Sequence, residues 1–126
     1  MIPPDQATNL VAGEFLVTLL HAATSAHILH LQTRSFAQHM ALDGFYKEMP
    51  ELADSLIEAY QGKYGIVSYP SGYEVPATTP LEFLSSLSDY IIANRDQVAP
   101  DSELQNEIDS IQLLVDSTIY KLRFLA

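Results

Sequence analysis

The 126-residue sequence contains no cysteine, and that absence excludes a disulfide scaffold, a thiolate zinc site, an iron–sulfur cluster and a cysteine nucleophile together. Any metal must therefore be held by histidine, aspartate and glutamate. Positive charge is also scarce. Six Lys plus Arg face sixteen Asp plus Glu, a formal charge of -10, which speaks against a protein that binds nucleic acid through its phosphate backbone and favours cations as partners. Long apolar runs are missing too: polar residues interrupt them every three or four positions, so no stretch is expected to reach the roughly 18 residues that span a bilayer. The opening Met1–Gln6 carries no basic segment followed by an apolar one, so no signal peptide is expected and a cytoplasmic location follows.

What is present is one domain's worth of core. An apolar fraction of 48% over 14.0 kDa, with mean hydropathy of +0.07, predicts a single globular domain over residues 1–126. Apolar or small residues at Leu16, Leu20 and Ala23 mark a first helix over about 8–33. Leu42, Phe45, Met49, Leu52, Leu56 and Ala59 mark a second over about 35–61, bent at Pro50, with Gly62 as its terminating glycine. From Lys63 to Thr79 periodicity vanishes into tyrosine, glycine and proline. Thr79-Pro80-Leu81-Glu82 then opens a third helix as a capping box with proline at N1. A fourth helix carries Leu104, Ile108, Ile111, Val115, Ile119, Leu122 and Leu125. Connections that are short, long and short predict an all-α, four-helix bundle with one long crossover between the second and third helices.

All four histidines, His21, His27, His30 and His39, fall in the first two helices. The steps from Ala23 to His27 and His30 continue the predicted seam, so both rings are expected to face packed surface. On the second helix Asp54 and Glu58 stand four apart on one face. Fifteen residues separate His39 from Asp54, roughly 22 Å along a helix, so they cannot share a metal within one chain. The same fifteen residues return Asp54 to within about 60° of the direction of His39. Two copies of this helix, antiparallel about an axis between Tyr46 and Lys47, would bring His39 of one against Asp54 of the other. That arrangement makes two equal sites of imidazole and carboxylate, a ligand set suited to iron(II), manganese or zinc.

The run His30-Leu31-Gln32-Thr33-Arg34-Ser35-Phe36-Ala37-Gln38-His39, followed by Asp54-Ser55-Leu56-Ile57-Glu58, resembles the Dps-type mini-ferritins of the ferritin-like superfamily. The closing Tyr120-Lys121-Leu122-Arg123-Phe124-Leu125 is similar to that family's last turn. The resemblance implies a ferritin-like fold and an iron-binding protein that oxidises and sequesters Fe(II) between subunits of a homo-oligomer, a two-fold dimer or a twelve-subunit shell. It further implies His39 with His30 or His27 as imidazole ligands, and Asp54 and Glu58 as the partner's carboxylates, with Glu58 placed to bridge two irons. His30 corresponds by neighbouring context and His27 by its twelve-residue distance from His39. Asp43, four residues after His39, is either a residue that orients that ring or a surface acid. The family's basic DNA-binding tail is absent, so no nucleic-acid partner is expected. The alternative is a ferritin-fold structural or interaction protein without ferroxidase activity.

Overall fold

A computed structural model describes residues 6–126, with side chains described from Leu10 onward; the Met1–Gln6 reading therefore lies almost wholly outside the described residues. It consists of four helices, α1 (Gln6–Gln32), α2 (Phe36–Tyr64), α3 (Pro80–Asn94) and α4 (Ser102–Phe124), with a short 3₁₀ turn over Arg95–Gln97. The described residues contain no strand, so the chain is an all-α, four-helix bundle.

The helices start and stop where local chemistry dictates. Ser35 caps α2 by accepting from the Gln38 N–H at 3.2 Å, and Thr79 caps α3 by accepting from the Glu82 N–H at 3.2 Å, with Pro80 in the first turn. The Thr79 hydroxyl also donates to the Glu82 carboxylate at 2.8 Å, so the predicted capping pair forms. The end of α2 falls three residues later than expected. Gly62 lies inside the helix and Gly65, at φ 97°, terminates it, because the apolar face continues through buried Tyr60 and half-buried Tyr64, whose rings meet at 4.9 Å. The helix also runs through Pro50.

The core lies where α1 and α2, α2 and α4, and α3 and α4 pack. On α1 the seam differs by one position from the expected one. Ala12, Phe15, Leu16, Leu19, Ala22, Ala26 and Leu29 are buried, whereas Leu20 is 40% exposed and His27 is exposed. α1 is apolar almost all round, so its periodicity alone does not single out one face. By length and composition Leu10–Gln32 suffices to cross a membrane, which corrects the expectation that no stretch does; half of its most apolar window is buried inside the bundle. On α4 the predicted seam holds through Leu122, and Leu125, just past the helix end, is exposed.

Residues 65–79 join α2 to α3 by running along α1. The Ser68 carbonyl stands against Gly13, so close that a Cβ there would lie 2.2 Å from the oxygen, and farther along the Tyr73 hydroxyl meets Ser25 Oγ at 2.8 Å. Phe15 stacks on Tyr90 of α3 at 5.9 Å, while Lys63 near the end of α2 pairs with Asp101 before α4 at 2.5 Å. α3 is therefore antiparallel to α1, and α4 antiparallel to α2.

Candidate functional site

The turn between α1 and α2 spans three residues, and hydrogen bonds fix it from both sides. The Thr33 hydroxyl donates to Gln38 Oε1 at 2.6 Å and accepts from the Ser35 N–H at 3.2 Å; the His39 N–H donates to the Ser35 carbonyl at 2.9 Å. So tight a hairpin sets the last turn of α1 against the first turn of α2. His30 and His39 face each other there. His30 Nδ1 lies 2.7 Å from the His39 carbonyl, and His39 Nδ1 lies 2.8 Å from the His30 carbonyl. A carbonyl oxygen only accepts, so both Nδ1 atoms donate, and Nε2 is the nitrogen of each ring left outside these two bonds. The rings stack with centroids 3.6 Å apart and planes 18° from parallel.

Aromatic contacts extend the stack in both directions. The His27 ring lies flat on Tyr46 at 4.0 Å and 11°, Tyr46 also meets His30 at 5.1 Å, and Phe36 lies beside His39 at 6.4 Å. Tyr46 is expected from the sequence only as a neighbour of the two-fold axis; its seven-residue spacing from His39, two helical turns, places it on the same face. Asp43 does not orient His39. Its carboxylate pairs with Lys47 one turn on, at 3.0 Å, and that hydrogen bond holds its pKa below the ordinary 3.8, with smaller help from His30 and the Tyr46 hydroxyl against partial desolvation.

Of the predicted site residues, one chain brings together His27, His30 and His39 and holds Asp54 and Glu58 apart from them. Both carboxylates are exposed on α2. Among the described residues no group of three or more His, Asp or Glu is arranged to hold a metal ion. Nor does the histidine pair fit one ion: a metal lies in the plane of the imidazole that binds it, about 2.0–2.1 Å from the nitrogen, and two nearly parallel rings at 3.6 Å share no such point. A metal would have to meet each Nε2 separately.

Outside the hairpin packing, α2 presents a continuous outer stripe. At 100° per residue Phe36, Met40, Lys47, Asp54 and Glu58 fall within about 40° of one another, and all are exposed. Leu20, Thr24, His27 and Leu31 form a parallel exposed row on α1, at steps of four, three and four. Large apolar side chains thus collect at the hairpin end, with Phe36 at 77% and Leu31 at 69% exposure. Residues 30–122, from His30 to Leu122, match the model of DUF5856, described as a family of unknown function. The chain belongs to DUF5856. Over 103 residues it is 30% identical to the uncharacterized 14.6 kDa protein in the mobD-ri intergenic region of Enterobacteria phage T4, covering 79% of this chain and 78% of that one. No solved structure matches the chain. The DUF5856 segment includes the histidine pair, Tyr46, Asp54 and Glu58, and leaves His27 just outside it.

Proposed function

We propose that this DUF5856 chain is a ferritin-like bundle that works as a homo-oligomer, pairing two copies about a two-fold axis through the outer faces of α1 and α2. The observation that carries this reading is the exposed apolar group Leu20, Leu31, Phe36 and Met40 on helices whose other faces are packed. Charge supports an antiparallel arrangement: Arg34 marks one end of the face, and Asp54 and Glu58 mark the other. The ferritin-like assignment is supported by the connection along α1, which leaves α2 and α3 pointing the same way. Light scattering tests the pairing. A mass of at least twice the 14.0 kDa chain is expected, falling to one chain in Phe36→Asp/Met40→Asp with helicity unchanged. A wild-type monomer at about 100 μM sinks the proposal.

A second reading makes the paired face an iron(II) oxidation site of Dps type, in the cytoplasm. What favours it is that the Nδ1 bonds leave Nε2 as the remaining nitrogen of both rings, with His39 on the same helix as the outward Asp54 and Glu58. Iron(II) is then the substrate. Each ion gives one electron to dioxygen or peroxide and is retained as iron(III), with His39 and, at a separate ion, His30 or His27 from one chain, and Asp54 and Glu58 from the other as ligands. Manganese or zinc would suit the same donors. Aerobic iron(II) oxidation decides it: a rate above buffer that both His39→Ala and Glu58→Ala abolish supports the site, and a rate equal to buffer leaves assembly as the function.

A further inference from the structure

A cavity of about 540 Å³, well within the size range of metabolite sites, opens between α1, α3 and the 65–79 connection, away from the histidine pair. Its wall is built from both sides. Tyr73 is set by its hydroxyl bond to Ser25 and by an edge contact with the His21 ring at 4.9 Å. Opposite, Phe83 and Tyr90 present rings from α3, and Tyr90 is held by its stack on Phe15. Three aromatic side chains therefore surround the space.

The polar lining is one-sided in charge. Glu74 is the only carboxylate of the wall, it forms no ion pair among the described residues, and no lysine or arginine lines the cavity. Aromatic faces carry negative charge density and attract cations, and the net charge of -10 adds a field of the same sign. An anion finds no counter-charge there beyond the His21 ring, and a fully apolar ligand leaves the Glu74 end unused. We propose that this cavity binds a small organic monocation, an amine with an aromatic or aliphatic body, its body against Phe83 and Tyr90 and its charge toward Glu74.

Three probes of one shape separate charge from fit: phenethylamine, 2-phenylethanol and phenylacetate, titrated into the full chain and followed by amide chemical shifts. The expected result is saturable shifts at Ser25 and Gly72–Glu74 with phenethylamine, at least threefold tighter than either other probe, and about threefold weakening in Glu74→Gln, the scale of one exposed charge pair. Glu74 is exposed, so that variant keeps the fold. Equal affinity for the alcohol, unchanged affinity in Glu74→Gln, shifts confined to other residues, or none up to about 10 mM overturns the proposal.

Discussion

His30 and His39 each donate their Nδ1 proton to the other's main-chain carbonyl, at 2.7 and 2.8 Å, so that two side chains clamp two backbones across the α1–α2 turn. His30→Ala and His39→Ala should each cost about 1–2 kcal/mol in urea unfolding, because each removes one bond and the ring stack. The stack is shared, so the double variant should cost less than the sum of the two by about 0.5 kcal/mol or more. Strict additivity would mean the rings do not act together.

Two helical glycines should respond in opposite directions to alanine. At Gly13 the new Cβ meets the Ser68 carbonyl at 2.2 Å, so the connection must move and stability should fall by about 1–3 kcal/mol despite the better helix former. At Gly44 nothing lies within 4 Å, so alanine should add about 0.5–1 kcal/mol. Thermal unfolding of the pair checks this, and a gain at Gly13 would contradict the close approach.

Asp101 ties the end of α2 to the start of α4. Hydrogen bonds from Lys63 first and the Tyr64 hydroxyl second hold its pKa below the ordinary 3.8. A carboxylate depressed in the folded state stabilises above its unfolded pKa, and that contribution disappears as pH falls through the folded value. Asp101→Asn should therefore lower stability by about 1 kcal/mol at pH 7 and make little difference near pH 2. A difference that persists undiminished in acid would show that the carboxylate charge is not responsible.

The Tyr60 hydroxyl is buried without a hydrogen-bond partner among the described residues, and burial, helped by Asp101, pushes its pKa up. Tyr60→Phe keeps the ring and removes the unpaired group. Its effect on stability should be neutral or favourable by up to about 1 kcal/mol, measured by urea unfolding; a clear loss would reveal a partner for the hydroxyl.

The helices were legible in the sequence where one face alone is apolar. α4 follows its seam through Leu122, and the Thr79-Pro80-Leu81-Glu82 start of α3 is read residue by residue. α1 was legible as a helix but not in its orientation: with apolar residues around most of its circumference, Leu19 and Leu20 are equivalent in pattern, and only packing against α2 decides between them. The same ambiguity turned His27 outward. The nearness of His30 and His39 follows from the short turn, whereas their mutual carbonyl bonds depend on ring rotation, which spacing does not encode. Residues 65–79 have no period, and their path along α1 rests on Gly13 and Ser25, small residues whose significance appears only when another segment lies over them.

That path has a kinetic consequence. Residues 65–79 form one wall of the aromatic cavity while most of them are exposed and outside any helix. Segments of this kind detach from a folded domain at lower cost than its core does. Amides of Gly72 to Glu74 should therefore exchange with solvent through a local release of the segment, far faster than those of Leu16 and Leu19, which wait for global unfolding. Release of the segment takes away one wall of the cavity and leaves the Phe83 and Tyr90 wall on α3 standing.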